Sequence, residues 1–388
     1  MSQNIPYGRQ SISEKDVHAV IEVLRSDYLT QGPVVPEFER RVLDCCNVKY
    51  AVAVNSATSA LHIACLALGV KHGDIVWTTP ITFAASANCA LYCGASIDFV
   101  DIDPITYNVS LESLGRKLEK AKIDGVLPKV FIPVHLSGLP CDLIEIKALS
   151  LRYGFKIIED ASHAIGARYL NEPIGNCHYS DITVFSFHPV KIITTGEGGM
   201  ALTNDEGLAR KMQLLRGHGI TRAQEEMTHL SDGPWYYQQL ELGFNYRMSD
   251  IHAALGLSQM DRLNEFILRR RDIAKKYYAS LSDIPISLPY YSDDRDSAHH
   301  LYIVRLGSES AGPKHKRVII NLLAEGVGVN LHYIPIYLHP YYQRMGFKPG
   351  HCPEAEKYYS EAISLPIYSD LDEQQQLKVI ETFKRLVK

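Results

Sequence analysis

The sequence predicts an α/β protein: a largely parallel sheet with helices on both faces, followed by a smaller C-terminal α/β domain. Three observations predict it. Short apolar runs alternate with amphipathic helical segments through the first two-thirds of the chain, the order that winds a parallel sheet. Those runs are near-continuous in apolar residues rather than alternating, as in strands covered on both faces. The chain has 388 residues, more than one small core needs and enough for two α/β units.

In chain order, strands are expected at 50–54, 75–78, 97–100, 129–134, 156–159, 182–187 and 199–203, each a buried run bounded by turn residues. Helical periodicity fills 58–68, 143–153 and 206–216. Ser249 reads as the N-cap of a long helix through Ile251, Ala254 and Leu255 to Leu268. Beyond it, 269–280 mixes apolar and charged residues, 301–306 reads as strand and 314–325 as helix. The expected division is an N-terminal arm (1–20), a large domain (21–264) and a small domain (265–388). The arm is expected to pack near the small domain or a partner subunit.

Composition narrows the function. Forty basic and 44 acidic side chains leave a net charge of −4, which gives no basic face for nucleic acid. The first 13 residues lack the apolar core of a secretory signal. The most apolar stretch, 81–100, is broken by Thr82, Ser86, Asn88, Ser96 and Asp98, so no membrane span is expected and the cytoplasm is the natural compartment. Eight cysteines without a CxxC pair predict free, mostly buried thiols. Cys89 and Cys93, four apart, read as small core residues, and no metal-ligand spacing is present. His299, His300 and the pairs Tyr277-Tyr278, Tyr341-Tyr342 and Tyr358-Tyr359 are expected on amphipathic or loop surfaces.

Four segments carry candidate chemistry. Asn55-Ser56-Ala57-Thr58-Ser59-Ala60 joins a strand to a helix; free amides there, with small side chains, make a seat for a phosphate, although Ser- and Thr-rich caps are common. Asp160, in Ile157-Ile158-Glu159-Asp160-Ala161-Ser162-His163, ends a buried strand and points into the crevice where α/β sheets bind ligands. A carboxylate there can hold a pyridinium nitrogen protonated, or serve as a helix cap or ion-pair partner. Lys191 lies in Ser186-Phe187-His188-Pro189-Val190-Lys191, ahead of the glycines at 196, 198 and 199. Lysine forms a Schiff base with an aldehyde, and a lysine in an apolar, glycine-flanked segment is costly to bury without a purpose. Asn245 and Arg247 sit just ahead of the helix capped by Ser249; by composition alone this is a loop with a cap.

These segments, in this order, resemble the DegT/DnrJ/EryC1/StrS family of sugar aminotransferases, which share the fold-type-I pyridoxal-phosphate transferase architecture. The resemblance runs from about residue 6 to 366 and rests also on Leu29-Thr30-Gln31-Gly32 and Arg216-Gly217-His218-Gly219. It implies a pyridoxal 5′-phosphate cofactor, with pyridoxamine 5′-phosphate between the two half-reactions. Lys191 resembles the lysine that bonds the cofactor aldehyde and then moves protons. Asp160 resembles the partner of the ring nitrogen, and Ser56, Ala57, Thr58 and Ser186 the phosphate seat. Phe83 matches an aromatic position against the ring; His163 stands where many members have Gln, near the ring oxygen. Asn245 is similar to a residue sent across a homodimer interface to the other subunit's phosphate.

Within the family, Ser162-His163-Ala164, Phe185 to His188, Ile193-Thr194-Thr195 and Val329 to Tyr337 are most similar to the branch serving pseudaminic acid synthesis. That likeness implies L-glutamate as donor and a UDP-linked 2-acetamido-2,6-dideoxy-L-arabino-hexos-4-ulose as acceptor. Tyr7, Asp27, Tyr28, Leu29, Thr30, Arg247, Leu331, His332, Tyr333 and Ile334 would then line the sugar-nucleotide site. Asp27-Tyr28 and Gly196 depart from the pattern of that branch, which leaves another nucleotide-linked 4-keto or 3-keto sugar open. The family's dehydratases carry histidine in place of the lysine, and Lys191 is present. A non-catalytic nucleotide-sugar binding protein would not need Asp160, Ser186 and Lys191 together.

Overall fold

The computed structural model describes residues 4–307 and 312–387; the first three residues of the expected arm lie outside them. Helices α1 (Glu14–Leu24) and α2 (Val34–Cys46) precede β1 (Tyr50–Val54). Then α3 (Ala57–Ala67), β2 (Ile75–Thr78), α4 (Ala85–Tyr92), β3 (Ser96–Phe99), α5 (Leu111–Asp124), β4 (Val130–Ile132), α6 (Leu143–Tyr153) and β5 (Lys156–Asp160) alternate. A small hairpin, β6 (Arg168–Tyr169) and β7 (Glu172–Pro173), leads to β8 (Ile182–Ser186), β9 (Gly199–Thr203) and α7 (Glu206–Arg216). After β10 (Ile220–Thr221) and β11 (Gln238–Gln239) come α8 (Asp250–Met260) and α9 (Leu263–Leu281). The remainder comprises β12 (Ile286–Ser287), β13 (Arg295–Asp296), β14 (Tyr302–Leu306), α10 (Pro313–Ala324), α11 (Pro340–Gln343), α12 (Pro353–Glu361), β15 (Ala362–Leu365) and α13 (Glu373–Val387).

Seven strands form the main sheet in the order β1-β9-β8-β5-β4-β2-β3. All its neighbours pair parallel except those of β9, which runs antiparallel to both β1 and β8. Successive residues of these strands feed opposite cores. Ala53, Trp77, Phe131, Ile157 and Phe185 enter one cluster, whereas Val54, Val76, Ile132, Ile158 and Val184 enter the other. Burial on both faces is why the strands read as apolar runs. A third cluster, with Ile273, Tyr302 and Ile363, surrounds the three-stranded sheet β12-β14-β15. Ile5 belongs to that cluster, bonded through its backbone to Gly326 and Gly328.

Two expectations are corrected. The helix capped by Ser249 stops at Met260, with Arg262 leaving helical geometry at φ −103°, ψ 2°, and α9 then runs to Leu281 through the segment read as mixed. Phe266, Ile267, Arg270, Ile273, Ala274 and Tyr277 form its buried stripe, a helical period interrupted to the eye by three consecutive arginines. Helix α1 runs across residue 20, and α9 begins at Leu263.

The histidines and tyrosines assigned to surfaces are the second correction. His299 and His300 are buried, as are Tyr277, Tyr342 and Tyr358, while Tyr278 and Tyr341 are exposed. Adjacent helical residues point about 100° apart, so one ring of each pair faces the core. All eight cysteines are free, and all but Cys45 and Cys93 are buried. Among the described residues no helix is long and apolar enough to cross a membrane.

Candidate active site

The loops that follow β1, β2, β4, β5 and β8 all leave the carboxyl edge of the sheet, the edge at which α/β sheets bind ligands. A cavity of ≈ 540 Å³ opens there, within the usual range for a small-molecule site. The reversal of β9 matters to it. Because β8 and β9 are antiparallel neighbours, no crossover helix is needed, and the connection 187–198 stays at this edge with Lys191 on the cavity wall.

One end of the cavity is the N-terminus of α3. Ser56 caps the helix, its hydroxyl accepting from the Ser59 amide at 3.1 Å. The first-turn amides of Ala57 and Thr58 have no helical carbonyl to bond, and both residues line the cavity with Ser186. Gly199 presses against this turn: a Cβ there would lie 2.4 Å from the Ala57 nitrogen and 2.5 Å from the Ser56 carbonyl carbon. The strand thus packs flush against the cap only because it begins with glycine.

At the floor, Asp160 is 5% exposed. Its Oδ2 accepts from the Ser86 hydroxyl at 2.5 Å and its Oδ1 from the Ser162 amide at 3.1 Å. Ser86 is itself bonded to Thr82 at 2.7 Å. A carboxylate held by two donors has lone pairs left for a third, which suits a protonated ring nitrogen.

Lys191 is the one cationic side chain lining the cavity among the described residues. Burial pushes its ammonium down to about 8, against the opposing pull of Asp160. The imidazoles around it are driven the same way. His163 and His300 are pushed well below the usual histidine range by burial, with Lys191 adding to it, and His332 falls to about 4. The Tyr333 phenol, 3.3 Å from His163 Nε2, is raised by burial and keeps its proton. His163, His300, His332 and Tyr333 therefore give polar but neutral surroundings to the amine, and the carboxylates of Asp160 and Glu197 line the same cavity.

The His163 and His300 rings lie 4.3 Å apart, and the Nδ1 of each is buried without a protein partner among the described residues. An unpaired buried nitrogen in a ligand cavity is costly unless a ligand atom meets it. A pyridine ring bearing an aldehyde, a hydroxyl and a phosphate fits this donor set: α3 for the phosphate, Asp160 for the ring nitrogen, His163 for the ring oxygen and Lys191 for the aldehyde.

Of the residues singled out from sequence, Ser56, Ala57, Thr58, Phe83, Asp160, His163, Ser186 and Lys191 line this cavity, as do Tyr7, Leu331, His332 and Tyr333. Phe83 stands at the mouth, 63% exposed, with its ring 6.4 Å from that of Tyr333. Asn245, Arg247, Asp27, Tyr28, Leu29, Thr30 and Ile334 do not line it. Asn245 and Arg247 bridge to Gly217 and Val54, and Thr30 bridges to Ser249, so these form an adjoining layer. Tyr28, Leu29 and Ile334 are exposed. Thr82, Ser86, Ser162 and His300 line the cavity or hold Asp160 and were not singled out as site residues. Ser86 and Thr82 sit at helical spacing on the loop and helix after β2, the one signal that could have joined them. His300 had none: its place depends on its amide bonding Ser137 O at 2.8 Å, from the distant loop after β4.

The pattern of the DegT/DnrJ/EryC1/StrS aminotransferase family matches residues 10–384. The Bacillus subtilis spore coat polysaccharide biosynthesis protein SpsC is 38% identical over 389 residues, covering 99% of this chain and 97% of the relative. A Campylobacter jejuni UDP-4-amino-4,6-dideoxy-N-acetyl-beta-L-altrosamine transaminase is 36% identical, covering 95% and 93%. The solved structure of Helicobacter pylori PseC, an aminotransferase involved in the biosynthesis of pseudoaminic acid, is 30% identical with a TM-score of 0.90, covering 99% of each chain.

Proposed function

The chain belongs to the DegT/DnrJ/EryC1/StrS aminotransferase family, and from that premise we propose that it moves the amino group of L-glutamate to C4 of UDP-2-acetamido-2,6-dideoxy-L-arabino-hexos-4-ulose. The product is a UDP-4-amino sugar for pseudaminic acid synthesis. The enzyme is a sugar aminotransferase that uses pyridoxal 5′-phosphate, and solved structural neighbours include both pyridoxal- and pyridoxamine-phosphate forms. When bound, that cofactor supplies a carbon that exchanges amino groups and a ring that withdraws the electron pair of a neighbouring C–H bond.

The protein's own residues supply the rest. The α3 amides and the Ser186 hydroxyl hold the phosphate. Asp160, oriented by Ser86 and Ser162, keeps the ring nitrogen protonated. Lys191 would hold the aldehyde carbon and, as a free amine, would accept and return the proton, a task that its lowered amine suits. Neutral His163, His300 and His332 do not compete with it for that proton. Tyr7 and the segment 331–333 also line the cavity, where they would meet the substrate.

One observation carries this reading: an amine pushed to about 8, a fixed carboxylate and a helix N-terminus converge in one cavity from segments far apart in sequence. The test is to offer purified protein glutamate and candidate UDP-4-keto sugars and to identify the aminated product and its configuration by NMR. The 38% likeness to a spore coat polysaccharide protein favours a second reading, the same chemistry on another nucleotide-linked keto sugar. A product aminated at C3, or turnover only with a different sugar, would select it.

The reading includes a homodimer in the cytoplasm. Asn245, Arg247 and residues 27–30 lie beside rather than in their own cavity, and Leu230, Trp235 and Leu242 expose apolar surface. A second copy that covers this surface would bring such residues to the partner's site.

A further inference from the structure

On the face of the sheet away from the cavity lies a buried polar set that the reaction does not touch. Glu159, 2% exposed, points opposite to its neighbour Asp160 along β5. Its Oε2 is 2.7 Å from His135 Nε2 and its Oε1 accepts from the Thr183 hydroxyl at 3.2 Å. His135 Nδ1 accepts from the Cys141 amide at 3.0 Å. With Nδ1 an acceptor, the ring proton sits on Nε2, so a neutral imidazole donates to the carboxylate. No cation takes part.

Each strand in this set ends on the cavity. Glu159 and Thr183 are register partners on β5 and β8, which finish at Asp160 and Ser186. The His135 amide donates to Asp160 O at 3.1 Å, and Asp160 N donates to Pro133 O at 2.9 Å. The turn after His135 accepts the His300 amide on Ser137 O, and the His300 ring lies 4.3 Å from that of His163, tilted by 42°. Apolar side chains of the same volume would hold these strands together with no carboxylate to desolvate. What directional hydrogen bonds add is a fixed offset between strands.

We infer that Glu159, through His135 and Thr183, is a positioning residue that sets the spacing of Asp160, Ser186 and His300 around the cofactor. The inference rests on the cofactor reading of the cavity and deepens it.

The test titrates cofactor-free protein with pyridoxal 5′-phosphate, following the visible absorption band and the dissociation constant, with thermal unfolding measured alongside. Glu159→Ala and the near-isosteric Thr183→Val are expected to weaken cofactor binding about tenfold and shift the band. Glu159→Gln, which still accepts from His135 and meets Thr183, is expected to stay within about twofold of wild type. Lower melting temperatures with wild-type binding and band would show a merely structural role and overturn the inference. So would a Gln variant as weak as the Ala variant, since charge rather than geometry would then be at work. Should Glu159→Ala fail to fold, Thr183→Val decides. Wild-type protein that takes up no cofactor would be a distinct result, overturning the cofactor reading and this inference with it.

Discussion

Lys191 sits where burial and Asp160 pull its amine in opposite directions, and burial wins. Its folded value of about 8 lies below the 10.5 of a free lysine. The unfolded chain therefore binds more protons between those two values, and stability of the cofactor-free protein rises with pH across that window. Lys191→Met should thus stabilise the cofactor-free protein at neutral pH, with the gain shrinking as pH climbs from 8 toward 10.5, as thermal melts at several pH values would show. The same shift makes the amine reactive. Uptake of pyridoxal phosphate should accelerate with pH and level off near 8 rather than above 10, which stopped-flow absorbance can follow. Lys191→Ala should lower turnover at least about 10²–10⁴-fold, since it removes the proton carrier together with the covalent anchor; near-wild-type rates in the purified variant would end the assignment.

Elements, rather than single residues, bring the amine to the carboxylate. The reversal of β9 folds the 187–198 loop back over the sheet edge, and α3 starts where β1 ends. Gly199 is where these two meet. Gly199→Ala should cost about 1–3 kcal/mol or more, because the added methyl meets backbone rather than a side chain that can swing away. Chemical denaturation reads that cost, and phosphate affinity should fall with it. Ser56→Ala, which removes only the cap, should cost about 1 kcal/mol by the same measurement. A Gly199 variant more stable than the Ser56 variant would contradict this account of the turn.

At the scale of the whole molecule, residues from a second chain in the proposed dimer would bear on the cavity. If Asn245 serves the site of a second copy, mixing the inactive variants Lys191→Ala and Asn245→Ala should restore activity. A mixed dimer then holds one site with both native residues. If each chain builds its own site, no mixture recovers any rate, and an activity assay on refolded mixtures separates the two. If the proposed dimer forms through the exposed apolar surface, placing a charge there, as in Trp235→Glu, should shift the sedimentation mass from two chains to one and lower activity with it.

Strand by strand, the main sheet was legible in the sequence because burial on both faces leaves a continuous apolar imprint: 50–54, 75–78 and 199–203 match β1, β2 and β9 residue for residue. Lys191, Asp160 and the 55–60 turn were legible because their chemistry depends on residue type and on local turns. The break between α8 and α9, the burial of His299 and His300, and the Ser86 bond to Asp160 were not. Each depends on contacts between segments far apart in the chain, and a local pattern carries no record of which distant group will satisfy a buried polar atom. Sequence alone determined which groups can react; the tertiary structure decided which of them meet, and with what charge.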